Sequence, residues 1–245
     1  PILELHVLSV NYYFKEMEKS KIERINLFSK LLDKEMSLLV YLPAYYEKLV
    51  PLPVLYFLHG RSGNENILLD AEINSTADRM LVNDEINPMI IVCPDIENSR
   101  GINSSNECLE VNDIYNRVIN TGMYEDYLIR EIIPLIDETY TTIKDRKGRF
   151  IGGASGGGYA ALHNALRHQE LFTKVGGHMP AIELTLEDED LPYFQNLENW
   201  GKYDPITIAK NNNIALDLEI FLDAGDNDEG GFYEGCSILN TILQE

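Results

Sequence analysis

Positive charge is what this chain has least of. Lysine and arginine total 20 against 40 aspartates and glutamates, a formal net charge of −20 over 245 residues. A field of that sign repels phosphate backbones and anionic lipid surfaces, so neither nucleic acid nor a membrane is an expected partner. Cysteine is scarce as well. Cys93, Cys108 and Cys236 are odd in number and scattered, which excludes a disulfide framework and a paired zinc motif. No run is long and apolar enough to span a bilayer, and no signal-peptide pattern is visible. The chain opens on Pro1 rather than Met, so an upstream segment stays open, and neither a cytoplasmic nor a secreted location is read. Internal repeats, low-complexity tracts and cofactor- or metal-binding patterns are absent, and oligomeric state is not legible.

The apolar fraction, 44%, is that of an ordinary globular chain. It suffices for one domain over 1–245. Residues 22–28 and 36–42 read as two strands joined by a turn near Asp33, with Pro43 ending the second. Residues 53–58 (Pro-Val-Leu-Tyr-Phe-Leu) and 89–93 (Met-Ile-Ile-Val-Cys) are continuously apolar. Strands of that kind belong in a parallel sheet covered on both faces, and Cys93 reads as a core residue. Residues 70–82 predict a helix, as do 123–139, where Pro134 should introduce a kink. A strand at 149–152, a helix from Gly156 to about His168, strands at 175–178 and 218–222 and a helix at 236–244 complete the alternation. The pattern predicts an α/β, doubly wound, mostly parallel sheet flanked by helices, with antiparallel N-terminal strands.

Two long connections, 96–122 and 183–212, interrupt it. In α/β enzymes such connections at strand carboxyl ends build the ligand site. The run Glu187-Asp188-Glu189-Asp190 has no metal-ligand spacing and reads as a solvated face. Tyr193, Phe194 and Trp200 nearby offer rings for stacking on an aryl or sugar group, or simply cover the sheet end.

The chemistry-bearing motif is Gly153-Ala154-Ser155-Gly156-Gly157. A serine hydroxyl needs a sharp turn to present it and a base to take its proton. A strand–turn–helix with small residues two before and two after the serine does the presenting, and Gly153 and Gly157 hold those places. The helix start then aims the Gly156 N–H at a developing oxyanion. A second donor is expected from the loop Phe57-Leu58-His59-Gly60-Arg61-Ser62-Gly63, at the N–H of Arg61 with Gly60 the alternative. His59 is expected to brace this loop and border the pocket rather than act as base.

His59-Gly60 after an apolar strand, Pro94-Asp95, Tyr124-Glu125-Asp126-Tyr127 and the block Ile151 to Leu162 together resemble the putative esterase family of α/β-hydrolases. That esterase D-like family includes S-formylglutathione hydrolases, feruloyl and acetyl-xylan esterases and enterochelin-esterase-like proteins. The resemblance runs from about residue 22 to the end. It implies carboxylic-ester hydrolysis through an acyl-serine at Ser155, on a small-molecule or carbohydrate-linked ester, with no cofactor and no metal. It places the triad acid in Phe221-Leu222-Asp223-Ala224-Gly225-Asp226-Asn227-Asp228, at Asp228, with Asp226 the alternative and Asp223 structural. A glutathione thioester substrate is a variant within the class. Neither a cysteine nor a basic cluster supports it.

The family pattern also calls for a strand and a histidine loop after the last helix, which is expected beyond Glu245. His163, eight residues into the elbow helix, is about 12 Å along its axis from Ser155 and cannot serve. His168 is farther, His6 precedes the sheet, and His178 could line the pocket and stands as a weaker alternative base. Two other readings stay open: a binding protein on a hydrolase fold without catalysis, and an acyltransferase using the same serine.

Overall fold

The computed structural model describes residues 19–48, 51–212, 214–228 and 230–244. Two strands, β1 (Lys21–Ser29) and β2 (Lys34–Leu42), form an antiparallel hairpin whose turn places Asp33 at φ +54°. β2 alternates from Met36 and is then almost continuously buried, because its far edge pairs antiparallel with β4 (Ile90–Pro94). β3 (Val54–Leu58) runs parallel to β4 on one side and to β7 (Arg149–Ala154) on the other. β8 (Lys174–His178) and β9 (Glu219–Asp223) extend the sheet in parallel, giving the order β1-β2-β4-β3-β7-β8-β9. The doubly wound, mostly parallel sheet expected from the apolar runs is therefore what forms.

The sheet's two faces are covered by different segments. Helix α1 (Ile73–Val82) and the turn Ile67–Asp70 pack on Leu39, Tyr41, Leu55, Phe57, Ile91 and Cys93. The opposite face, with Val40, Val54, Tyr56, Leu58, Val92, Ile151 and Val175, receives α2 (Ile133–Thr139), α3 (Gly156–Arg167), α4 (Pro205–Asn211) and α5 (Phe232–Gln244). The chain thus leaves β3 toward one face and β7 toward the other. A crevice opens between their carboxyl ends, the place where doubly wound sheets bind ligands. Burial pushes the Cys93 thiol well above its ordinary range, as a core cysteine requires.

Several local expectations are refined. The helix at 70–82 is split at Glu72, which adopts φ +52°. The segment expected as one kinked helix at 123–139 is a helical turn Tyr124–Asp126, a π-helical stretch Tyr127–Ile132 and then α2. Pro134 near the start of α2 cannot donate a backbone hydrogen bond, so the ladder is disturbed just ahead of it. The last helix starts at Phe232, four residues before the expected 236.

The connection 96–122 is not irregular throughout. Residues Leu109–Asn112 (β5) and Val118–Thr121 (β6) form a separate antiparallel hairpin. Its strands are only four residues each, β5 mostly exposed and β6 mostly buried, too short to carry a strong periodicity. The connection 183–212 contains a 3-10 turn at Asp188–Asp190 and short helices at Leu191–Phe194 and Leu197–Tyr203 ahead of α4. Asn196 and Asp204 accept backbone N–H groups at the starts of the last two, supplying caps that stretches this short need.

Candidate active site

The turn after β7 is tightly enclosed by backbone. Ser155 adopts φ 55°, ψ −122°, which a non-glycine residue holds only when its surroundings fix it. The surroundings are backbone. A Cβ on Gly153 would lie 2.4 Å from the Gly157 carbonyl oxygen, and one on Gly157 would lie 2.2 Å from that of Leu58. The Ser155 N–H donates to the His178 carbonyl at 2.8 Å, and its own carbonyl accepts from Ala181 and Tyr159, each at 3.0 Å. β8 and the first turn of α3 thus hold the serine from two sides, and no described side chain hydrogen-bonds its Oγ.

The loop after β3 comes up against this turn. A Cβ on Gly60 would stand 3.1 Å from Ser155 Cβ and 3.7 Å from Oγ, so Gly60 is the close-approach residue. The Arg61 nitrogen lies 3.7 Å from where a Cβ on Gly156 would be. Gly156 is the first residue of α3, where a backbone N–H has no partner within the helix. Among the described residues the Arg61 N–H has no acceptor either. The Arg61 and Gly156 N–H groups thus lie near the Ser155 turn without an acceptor among the described residues.

His59 lies beneath this loop and is fully buried. Its Nε2 accepts the Ile96 N–H at 3.0 Å, so the ring hydrogen is on Nδ1, donated to the Gly60 carbonyl at 2.8 Å. Asp95 Oδ1 is also 3.1 Å from Nε2. With both ring nitrogens committed, His59 braces the loop while bordering the cavity.

That cavity has a volume of about 610 Å³ and reaches Ser155, Gly156 and the 59–61 loop. Its walls come from both long connections: Glu97, Asn98 and Arg100 from one; Glu183, Glu187, Asp188, Glu189 and Tyr193 from the other. Ile114 and Tyr115 at the hairpin tip, and Gly230, Gly231 and Phe232 before α5, complete them. His178 and Trp200, expected as pocket residues, are not among the lining. The His178 ring lies between Phe57 and Phe221 (centroids 6.2 and 5.5 Å away), its Nδ1 3.0 Å from Asp223 Oδ2. Trp200 sits partly buried in the cluster around Tyr159, Tyr193 and Phe194. Of the three expected stacking rings, Tyr193 alone faces the cavity; Phe194 is buried against Tyr159.

The acidic run is only in part the solvated face that its composition suggested: Glu187 and Asp188 are exposed, Glu189 is half-buried and Asp190 is buried. Arg100, buried, donates to Glu183 through both terminal nitrogens at 2.9 and 2.6 Å. Its Nη2 also stands 2.8 Å from Asp190 Oδ1, a charge contact without hydrogen-bond alignment. Burial raises the Asp190 carboxyl to about 6 against the pull of that guanidinium. Glu189 meets Arg61 at 3.5 Å and Arg117 at 2.7 Å. Arginines widely separated in the sequence recruit this run into the cavity wall, a pairing that no local pattern encodes. Among the described residues no group of three histidine, cysteine or acidic side chains could hold a metal ion.

The acids after β9 occupy three environments. Asp223 receives the Met179 N–H at 3.1 Å and pairs with His178. Asp226 is exposed and, among the described residues, accepts only from its neighbour Asn227. Asp228 accepts the Gly230 and Phe232 N–H groups at 3.0 and 2.8 Å, which places it at the start of α5 with its loop along the cavity. His163 is buried in α3 and donates from Nε2 to the Arg100 carbonyl at 3.1 Å; burial lowers its pKa to about 4. His168 pairs with Glu125, at the far end of that helix. His6 lies outside the described residues.

The model of the family described as Putative esterase matches residues 29–234. The chain belongs to that family. With the family come hydrolysis of carboxylic esters by a serine hydrolase and the α/β-hydrolase fold, the fold and chemistry expected from the elbow motif. S-formylglutathione hydrolase of Arabidopsis thaliana is 27% identical over 249 residues, covering 90% of this chain and 82% of the relative. An acetyl esterase of Caldicellulosiruptor saccharolyticus is 29% identical over 163 residues, 63% of this chain and 54% of the relative. Among solved structures, a ferulic acid esterase superposes with a TM-score of 0.74 at 22% identity, covering 92% of this chain and 86% of its own.

Proposed function

We propose that Ser155 is the nucleophile of this ester hydrolase and that the Gly156 and Arg61 N–H groups hold its oxyanion. The observation that carries the reading is the forced Ser155 turn with two donors near it that have no acceptor among the described residues. Ser155 Oγ attacks the ester carbonyl carbon while its proton passes to a base. The carbonyl oxygen gains negative charge between the two N–H groups. Collapse expels the alkoxide, which takes the proton back, and leaves an acyl-serine. Water repeats the sequence and frees the acid. The base is a histidine outside the described residues: His59 has both ring nitrogens hydrogen-bonded, His163 and His168 are held on α3 away from the serine, and His178 does not line the cavity. Asp228 is the acid that orients it, a role supported by the position of its loop along the cavity.

The substrate is a small neutral ester with a ring at one end. Five carboxylates line the cavity against the side chains of Arg61 and Arg100, both already paired to acids. An anionic substrate finds no free cation there, so a glutathione thioester is disfavoured. Tyr115, Tyr193 and Phe232 offer faces for an aryl or sugar ring. The relatives' names, acetyl esterase and ferulic acid esterase, support this class.

The experiment is labelling of the full-length protein with a fluorophosphonate probe beside Ser155→Ala. Labelling of the parent but not the variant is expected. An unlabelled parent, or a labelled variant, refutes the assignment.

A further inference from the structure

An oxyanion donor is useful only if it stays fixed at the place where charge appears, so whatever holds residues 61 and 62 sets how well Arg61 performs. The loop needs holding: Ser62 adopts φ +61°, a left-handed conformation that a serine does not favour. Two ties reach it, and both lead to the β5–β6 hairpin. The first is Asn98. Its Oδ1 accepts the Ser62 N–H at 2.7 Å and its Nδ2 donates to the Val118 carbonyl at 3.0 Å. Its backbone exchanges two further bonds, each 3.1 Å, with Asn120. One amide therefore joins the loop by its acceptor end and the hairpin by its donor end. The second tie is Glu189, which bridges the Arg61 side chain at 3.5 Å and Arg117 at 2.7 Å. Arg117 is in turn fixed to the hairpin tip by Asp113 at 2.6 Å. Between these ties the tip carries Ile114 and Tyr115, both largely exposed and both lining the cavity.

We infer that Asn98 and Glu189 are positioning residues coupling the hairpin to the oxyanion loop, so that a substrate group resting on Ile114 and Tyr115 raises the rate of acyl transfer more than it tightens binding. The inference rests on the assignment of Ser155 and Arg61 above. Binding energy from a remote substrate group is here spent on holding a donor, which appears in kcat. A short ester that never touches the tip gains only the resting hold of these ties on the loop.

Asn98→Asp cuts the hairpin side alone. It keeps an acceptor for Ser62 and sets an oxygen against the Val118 carbonyl. Glu189→Gln removes the charge that holds two arginines and changes the shape little. Each variant of the full-length protein is compared with the parent on 4-nitrophenyl acetate and on a 4-nitrophenyl ester of a bulky aryl acid. For the aryl ester, kcat is expected to fall about tenfold with KM within about threefold; for the acetate, which loses only the resting hold on the loop, kcat is expected to fall by a smaller factor of about threefold. Thermal midpoints read in parallel separate this from general loosening, which lowers both esters by the same factor. Unchanged kcat on the aryl ester, a loss confined to KM, or equal losses on both esters overturns the coupling. Should Asn98→Asp fail to fold, Glu189→Gln at its half-exposed site decides alone. A parent silent on both esters and unlabelled at Ser155 instead refutes the nucleophile assignment itself and this coupling with it.

Discussion

Gly157 has no room for a side chain because the Leu58 carbonyl oxygen stands 2.2 Å from where its Cβ would be. Two backbone segments, the end of β3 and the first turn of α3, meet there at closest packing, and Ser155 is held between them. Gly157→Ala must push these segments apart. It is expected to destabilise the fold by about 2–4 kcal/mol and to slow fluorophosphonate labelling by at least about 10²-fold. Gly156→Ala is the control. The nearest atom to its added methyl is the Arg61 nitrogen at 3.7 Å, so stability is expected to change by no more than about 0.5 kcal/mol. Urea unfolding of both variants checks the contrast. Equal destabilisation by the two would mean that the close approach at Gly157 does not constrain the turn.

Arg100 makes a second prediction. Its buried guanidinium holds Glu183 and Asp190 and lies 5.2 Å from the Tyr159 ring and 5.4 Å from that of Tyr193. Arg100→Met keeps most of the volume and strands two carboxylates. Removing one partner of a buried ion pair costs about 3–5 kcal/mol. The stranded acids are expected to take up protons, so the variant should recover part of its stability as pH falls from about 7 to 5. Unfolding free energies at several pH values check this; a variant whose deficit does not shrink on acidification would contradict it.

The limits of the sequence are visible in these same residues. The elbow was legible because its requirements are local: small residues at 153 and 157, a strand before and a helix after. The parallel sheet was legible because double-sided burial leaves continuous apolar runs. The cavity wall was not. Nothing near Glu183 or Asp190 announces that Arg100, across two strands and a hairpin, neutralises them. An acidic run with no apolar period looks solvated until its partners are known. The β5–β6 hairpin was missed for another reason: its strands are four residues each, β5 mostly exposed and β6 buried from Ile119 to Thr121, too short for a pattern to stand out. The tip turn, with Asp113 accepting the Tyr115 and Arg117 N–H groups at 2.9 Å each, is the one local signal that could have suggested it. Trp200 shows the converse error: an aromatic at a plausible distance along the chain can point into packing instead of the pocket. His178 is half-exposed and pairs with Asp223 away from the cavity lining.

Acid stability should fall in two steps. His163 is neutral and buried in α3, with Glu125, Arg167 and His168 the charged or titratable groups around it, and its pKa is lowered to about 4. Its unfolded value is about 6.5, so between those limits the unfolded state binds the extra proton. Stability therefore declines as pH drops from about 6.5 to 4, by on the order of 3 kcal/mol. Glu125 follows. Its carboxylate is buried, yet the His168 hydrogen bond, the His163 charge and the Arg167 hydrogen bonds hold its pKa down to about 2. Its contribution is present above about 4.5 and is lost as pH falls toward 2. His163→Gln keeps a donor for the Arg100 carbonyl and should flatten the first step, and by removing a charge beside Glu125 it should move the second to higher pH. Chemical denaturation from pH 7 to 3 reads both, and an unchanged upper step in the variant would show that His163 is not its source.

Asp228 has two tasks that one substitution can separate. Its carboxylate accepts the Gly230 and Phe232 N–H groups, so it anchors the start of α5. As the proposed triad acid it must also stabilise an imidazolium, which requires charge. The two N–H groups fall on different carboxylate oxygens, so asparagine can accept only one of them, sets its NH2 against the other and carries no charge. Asp228→Asn is therefore expected to lose about 1–2 kcal/mol of stability, while kcat falls by about 10²–10⁴-fold. Asp228→Ala loses the anchor as well and should unfold earlier. Asp226→Asn, at an exposed site bonded among the described residues only to Asn227, should leave kcat within about threefold. If Asp226→Asn shows the large loss and Asp228→Asn does not, the acid is Asp226 and Asp228 is a helix cap alone.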